Sequence, residues 1–200
     1  WDALAELLPR LRKTTQIKPE RLEMWAVRVH REALDKAADA DVLDQARKNI
    51  PRALRTNVTL LEAYYQGLMR AGLHDRAEKE LAAALKSEWR GPLVRLYGLA
   101  EATDTTKQLK RAEGWLKPHG EDADLLLAAA RLCQRNELWG KARSYLETVI
   151  GMRPTPEAYQ EYGALLTQLG EGDAAADAYR DGLGMIAAKP LTAIPHIEGD

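Results

Sequence analysis

Phenylalanine is absent from the 200-residue chain, and cysteine occurs once, at Cys133. A single cysteine excludes an internal disulfide and weakly favours a reducing compartment. No apolar run approaches the roughly 20 residues that a membrane span requires, and no signal peptide is visible. The chain begins at Trp1 without a methionine. We therefore expect a fragment of a longer protein, which is compatible with a missing N-terminal anchor.

An excess of charge of either sign is also lacking. The 29 basic and 30 acidic residues give a formal net charge of −1. A dedicated nucleic-acid-binding protein would carry a strong basic excess, so no nucleic-acid partner is expected. Valine and isoleucine are sparse, whereas alanine and leucine dominate. This composition is typical of an all-helical protein.

Motifs for catalysis or metal binding are missing as well. The four histidines, His30, His74, His119 and His196, are far apart in the sequence. None has the spacing of a metal site, and the chain contains no glycine-rich phosphate loop, no GxSxG and no CxxC. Cys133 is interpreted as a small core residue. We therefore expect no enzymatic activity, no bound metal and no cofactor.

What the sequence does contain is a helical hairpin between Ala123 and Pro154. Apolar residues recur there at i, i+3, i+4 and i+7 in two successive segments, which is the spacing of one helix face. They are Leu126, Ala129, Ala130 and Cys133, then Ala142, Tyr145, Leu146 and Val149. The polar residues 135–137 separate the two predicted helices, and Gly72 and Gly170 are predicted to mark the turns of two further hairpins. One such hairpin cannot bury both its faces, so it needs similar hairpins beside it.

A small residue opens each predicted second helix: Ala77, Ala112, Ala142 and Ala175. The spacings are 35, 30 and 33 residues, close to the period of about 34 of a tetratricopeptide repeat. The predicted fold is an all-α tetratricopeptide-repeat α-solenoid, a superhelix of antiparallel helix pairs. A helical bundle with coincidental spacing is the alternative. We predict degenerate helical hairpins over residues 1–56, the repeat array over 57–188 and a disordered tail over 189–200.

In such an array the first helix of each pair lines the concave face. The repeat frame predicts a partner-binding groove formed by Glu62, Gln66, Met69, Arg70, Arg95, Leu99, Leu127, Arg131, Gln134, Arg135, Gln160 and Gln168. Arginine binds carboxylates through two parallel hydrogen bonds, so this set favours an acidic partner segment. Alternatively, these arginines pair with acids of their own scaffold, such as Glu62, Glu101 or Glu137.

Four sequence blocks resemble the C-terminal tetratricopeptide region of the bacterial HemY family. They are AGLHDRAEKEL (71–81), LVRLYG (93–98), QLKRAEGWLKPH (108–119) and RNELWGKARSYLE (135–147). The similarity runs from about Trp1 to Gly184. It implies a protein of the bacterial inner membrane, held by a multi-pass N-terminal region that this fragment lacks, with its soluble domain on the cytoplasmic side. The family is associated with late haem biosynthesis through contacts with enzymes such as ferrochelatase, and it provides no catalytic residues to carry over.

Three hypotheses follow. The first is a protein-interaction scaffold whose groove binds a haem-pathway enzyme. The second is direct binding of haem or porphyrin, with propionates paired to groove arginines and His74 or His119 as an axial ligand. The third is self-association, for example as a homodimer, through hydrophobic faces exposed at the ends of the repeat stack.

Overall fold

The computed structural model describes Leu4, Leu7 and residues 18–187. Within these residues the chain forms ten α-helices, one 3₁₀ turn (Arg52–Leu54) and no strand. The helices are α1 Pro19–Asp35, α2 Ala40–Lys48, α3 Val58–Arg70, α4 His74–Ser87, α5 Gly91–Leu99, α6 Thr105–His119, α7 Ala123–Arg135, α8 Trp139–Met152, α9 Pro156–Gln168 and α10 Gly172–Ala187. The predicted tail at 189–200 lies outside the described residues. So do residues 1–3, 5–6 and 8–17 of the predicted helical hairpins at 1–56.

Local sequence explains where the helices begin. Asp39, Asn57, Asp122 and Thr155 each precede a helix, and their side chains accept hydrogen bonds from free backbone N–H groups in its first turn. These residue types are preferred N-caps because they satisfy donors that have no partner inside the helix. Prolines follow in the first turns of α1, α5 and α9, where the missing N–H costs nothing.

The turns inside three hairpins share one geometry. Gly72, Glu137 and Gly170 have φ values of 72°, 57° and 79°, in the left-handed region. The next residue then donates its N–H to a carbonyl five positions earlier, as Leu73 does to Leu68 at 2.9 Å. This bond satisfies a free carbonyl at the helix end. The predicted breaks at Gly72 and Gly170, and the polar one at residues 135–137, are therefore helix C-terminal turns.

The chain divides into two compact units, Trp1–Trp115 and Leu116–Asp200. In the first unit, α1 contacts α2 and α3 contacts α4 as hairpins, and the first helices α1, α3 and α5 contact one another in succession. The buried Gln108 side chain ties α6 to α5 by donating to the carbonyls of Tyr97 and Ala100, both at 2.9 Å. The core of this unit is made of leucines and the buried rings of Tyr64 and Tyr97.

The second unit contains the hairpins α7–α8 and α9–α10, and α9 also packs against α8. Its core includes Leu125, Leu132, Leu146 and Leu165, each 0 % exposed. The residues predicted to open the second helices are buried in both units: Ala77, Ala112 and Ala142 are 0 % exposed and Ala175 is 3 % exposed. Small side chains at these positions let paired helices approach closely, as the repeat pattern predicted.

Candidate functional site

The groove residues predicted in the first unit lie on α3 and α5, which pack against each other. Gln66 and Arg70 on α3 are exposed, and so are Arg95 and Leu99 on α5. Glu62 and Met69 are half-buried. The structure thus places exposed polar and cationic groups, together with one exposed leucine, on two neighbouring first helices. We call Gln66, Arg70, Arg95 and Leu99 the first-helix face.

Arg70 has a role within the scaffold as well. Its Nη2 donates to the carbonyls of Leu34 at 3.3 Å and Asp35 at 3.4 Å, and it lies 3.9 Å from the Asp35 carboxylate. These carbonyls end α1, where a cation is favourable because of the helix dipole. The Arg70 side chain is still 48 % exposed. It can therefore brace α1 and present charge to solvent at the same time.

In the second unit, the expectation that Arg131 lies open in a groove is wrong. Its side chain is 6 % exposed, and its Nε and Nη2 lie 2.8 Å from Glu161 and 2.5 Å from Glu157. Both glutamates belong to α9, which covers the guanidinium. Scaffold pairing is therefore correct for Arg131, but its partners are not the acids that the sequence suggested.

The Arg131 guanidinium forms ion pairs with both glutamates. Burial by itself lowers the pKa of the Arg131 guanidinium, but the hydrogen bonds and charges of Glu157 and Glu161 outweigh that effect and the pKa is raised. The third nitrogen, Nη1, is buried and has no hydrogen-bond partner within the described residues. A buried charge with one unsatisfied donor destabilises the folded state unless its other donors are paired with acceptors. Arg131 is therefore a structural residue of this unit.

Leu127 also departs from the prediction, since it is 3 % exposed and belongs to the core. Its side chain is covered because almost every face of α7 is buried: ten of its residues, from Ala123 to Cys133, have no appreciable exposure. Gln134 and Arg135 are half-buried, whereas Gln160 and Gln168 are exposed on α9. The predicted groove residues of this unit that remain accessible are thus mainly glutamines.

Sequence reasoning missed the contacts by which three tyrosines, Tyr64, Tyr97 and Tyr162, join consecutive hairpins. Tyr97 on α5 is 0 % exposed, and its hydroxyl donates to Glu78 of α4 at 2.7 Å. Arg111 of α6 donates to the same glutamate. One tyrosine thus connects three helices through an acid and an arginine. Burial and the nearby Glu78 charge raise the pKa of Tyr97, so it stays a neutral donor.

Tyr64 forms the corresponding arrangement one hairpin earlier. Arg76 of α4 donates to both carboxylate oxygens of Asp44 on α2, at 2.6 and 3.0 Å, and to Glu80 at 2.8 Å. It also donates to the Tyr64 hydroxyl at 2.8 Å. Burial raises the pKa of Tyr64 to about 12. The sequence signal for these two sites is an arginine directly before the small residues Ala77 and Ala112.

A third tyrosine, Tyr162 on α9, donates to Glu147 of α8 at 2.8 Å. Arg143 of α8 contacts Glu147 at 3.1 Å and reaches Glu171 through two hydrogen bonds of 2.8 and 3.0 Å. Arg143 thus lies on the helix before its tyrosine, whereas Arg76 and Arg111 lie on the helices that follow theirs. The three tyrosines thus connect successive hairpins within their units.

The histidines proposed as haem ligands do not belong to the first-helix face. His74 begins α4, and its Nδ1 accepts a hydrogen bond from the backbone N–H of Glu101 at 3.0 Å. His119 is the last residue of α6. In the part of the chain that the structure describes, no group of three potential ligands is arranged for a metal ion. None of the described helices is both long and apolar enough to cross a membrane.

These features define the fold class: the chain is an all-α tetratricopeptide-type α-solenoid protein, as the repeat period predicted. Its fold is similar to that of MamA in solved structures. For MamA from residue 41 onward of Desulfovibrio magneticus RS-1, the TM-score is 0.53 at 13 % identity, covering 83 % of this chain and 98 % of that one. A second structure of MamA protein gives 0.50 at 19 % identity, covering 85 % and 98 %. No protein-family model and no curated protein matches the chain.

Proposed function

We propose that this chain is a non-catalytic protein-interaction scaffold whose first-helix face binds an acidic segment of a partner protein. The observation that carries this proposal is the exposure of Gln66, Arg70 and Arg95 beside Leu99 on two adjacent first helices. An exposed leucine flanked by cationic and amide groups offers an anchor together with orienting contacts.

The partner that we propose is an enzyme of late haem biosynthesis, such as ferrochelatase. This part of the proposal is supported by the resemblance of the four sequence blocks to the HemY family, two of which lie within α4 and α5 or directly beside them. The same resemblance supports a location at the bacterial inner membrane. The similarity to MamA supports the fold only. The proposed partner is supported by the four sequence blocks alone.

Direct binding tests the proposed partner. Purified ferrochelatase is immobilised, and binding of the chain is followed by biolayer interferometry at about 50 mM and at about 500 mM NaCl. We expect saturable binding that weakens at the higher salt, because screening reduces contacts between exposed charges. Absence of binding at low salt would remove ferrochelatase as the partner. Binding of equal strength at both salts would contradict an electrostatic contact.

Self-association is a second candidate, favoured by one feature of α10. Tyr179, Leu183 and Ile186 follow at i, i+4 and i+7 and are 38 %, 66 % and 58 % exposed. With Pro156 and Gln160 of α9 they line a groove of about 280 Å³. A second copy of the chain could cover this apolar strip. Sedimentation velocity over a concentration range would then show dimers that Leu183→Glu abolishes. A wild-type chain that stays monomeric at high concentration would exclude this function.

A further inference from the structure

A pocket of about 440 Å³ in the first unit is lined mainly by the second helices α2 and α4 and by the link between α2 and α3. Four cationic and two acidic side chains surround it. It is distinct from the first-helix face, because Tyr64 is the only lining residue from α3 and none comes from α5. The pocket is therefore a site separate from the first-helix face.

Both acids of the pocket are already engaged by one arginine. Arg76 holds Asp44 through two hydrogen bonds and Glu80 through a third, at 2.6 to 3.0 Å. Arg76 keeps the pKa of Asp44 below its usual value, so the carboxylate stays ionised and bound. Arg76 is the ion-pair partner of both acids, and Lys48 acts on Asp44 only through its charge.

The remaining cations are Arg47, Lys48 and Arg55. Among the described residues, none of them has a carboxylate within 4 Å of its charged nitrogens. Arg55 donates from Nε to the carbonyl of Ile50 at 3.1 Å and from Nη2 to that of Lys48 at 3.5 Å. These bonds fix its guanidinium at the end of α2 and do not neutralise its charge.

Arg47 is fixed in a different way. Its guanidinium carbon lies 3.9 Å from the centroid of the Tyr64 ring and 6.0 Å from that of Tyr65. Stacking on an aromatic face orients the planar group. Arg47 also forms a side-chain hydrogen bond with Tyr65, and its remaining N–H donors can serve a ligand. Ile50, which is 3 % exposed, adds an apolar wall. The pocket thus combines oriented cations with surfaces that suit a short aliphatic stem.

We propose that this pocket binds the carboxylate of a glutamate or aspartate side chain presented by a protein partner. Four cations against two engaged acids leave an excess of two positive charges around the cavity. A carboxylate on an aliphatic stem fits both parts of this lining, since its oxygens accept from Arg47, Lys48 or Arg55 while its methylenes lie against Ile50.

The test uses the ¹⁵N-labelled chain and three probes: acetyl-Glu-Glu-Glu-amide, acetyl-Gln-Gln-Gln-amide and inorganic phosphate. The arginine Nε–Hε signals are followed by NMR at low ionic strength. We expect the glutamate peptide to shift the Arg47 and Arg55 signals in a saturable way, and the glutamine peptide to leave them unchanged. Shifts produced by phosphate with none from the glutamate peptide would overturn the proposal, because they would indicate a site for a free anion.

Variants locate the binding. Replacing Lys48, which is exposed, with Glu is expected to weaken binding of the glutamate peptide by about tenfold, because it reverses one charge of the pocket. Lys86→Glu makes the same charge change on the exposed side of α4. Because Lys86 does not line the pocket, we expect this variant to lower the affinity by less than about twofold.

A second variant, Arg47→Gln, is expected to lower the affinity for the glutamate peptide to a similar extent. Circular dichroism verifies that each variant is folded. Equal losses for Lys48→Glu and Lys86→Glu would contradict the site. So would an unchanged affinity in folded Lys48→Glu.

Discussion

Arg131 Nε on α7 lies 2.8 Å from the Glu161 carboxylate on α9, and only 6 % of the arginine side chain is exposed. With Glu157 at 2.5 Å from Nη2, this contact joins the first helices of two consecutive hairpins in the second unit. An arginine on a predicted binding face is thus used to hold neighbouring repeats together.

Removal of this arginine is expected to destabilise the second unit. Arg131→Ala would remove the cation that Glu157 and Glu161 share. We expect a loss of about 2 kcal/mol in the free energy of unfolding, less than for fully buried pairs because both acids are partly exposed. The measurement is urea denaturation followed by circular dichroism. The triple variant Arg131→Met, Glu157→Gln, Glu161→Gln should recover most of the loss. If Arg131→Ala had the same free energy of unfolding as the wild type, the contact would not contribute to the stability of this unit.

The hydroxyl of Tyr97 is expected to contribute to stability through Glu78. Tyr97→Phe removes a buried donor 2.7 Å from the carboxylate. We predict a loss of about 1 kcal/mol, the usual contribution of such a hydrogen bond, with a larger value if the charge assists. A double-mutant cycle with Glu78→Gln isolates the pairwise coupling. Additive effects of the two substitutions would mean that the tyrosine and the glutamate do not interact.

Two glycines in α10 provide a matched pair. A Cβ at Gly182 would lie 2.9 Å from the Cβ of Tyr159 on α9, whereas a Cβ at Gly184 would meet nothing within 4 Å. Gly182→Ala should therefore cost about 1–2 kcal/mol, because α9 and α10 must separate. Gly184→Ala should raise stability by up to about 0.5 kcal/mol through helix propensity. Thermal melting compares them, and the same direction of change in both would refute this close approach.

The stability of the first unit is expected to fall in acid partly through Asp44. The hydrogen bond from Arg76 holds the pKa of this carboxyl below its usual 3.8. A carboxyl whose pKa is lower in the folded than in the unfolded protein stabilises the folded state at pH values above its unfolded-state pKa. This contribution disappears as the pH falls through the folded-state pKa. Melting temperatures between pH 7 and pH 2 should therefore depend less on pH in Asp44→Asn than in the wild type.

Asp41→Asn is the control on the same helix, because the exposed Asp41 makes no hydrogen bond or ion pair within the described residues. Its pH dependence should follow that of the wild type. If both variants flattened the profile equally, the effect could not be assigned to the contact between Asp44 and Arg76.

The sequence predicted the parts of the fold that depend on local pattern. The spacing of Ala77, Ala112, Ala142 and Ala175 identified the hairpins, because a close helix contact requires a small residue at a fixed position in each repeat. Glycines at 72 and 170 identified turns for a similar local reason. Such features are repeated along the chain and can be read without knowing which side chains meet.

The side-chain partners could not be predicted in this way. Arg131 contacts acids 26 and 30 residues later, on another hairpin, and the repeat period does not show which side of the arginine they approach. Leu127 was assigned to a groove because the frame alone does not show how completely α7 is covered. By contrast, the arginines before Ala77 and Ala112 repeat in register, and that signal could have revealed the tyrosine contacts.

The most direct test of the central claim is a charge reversal on the first-helix face, measured against ferrochelatase. Arg95→Glu lies on this face, and Lys86→Glu makes the same charge change on α4 of the same unit. We predict that Arg95→Glu weakens binding by about tenfold or more, since it would oppose an acidic partner, while Lys86→Glu binds as the wild type does. Equal affinities for the two folded variants would contradict the claim that this face binds the partner.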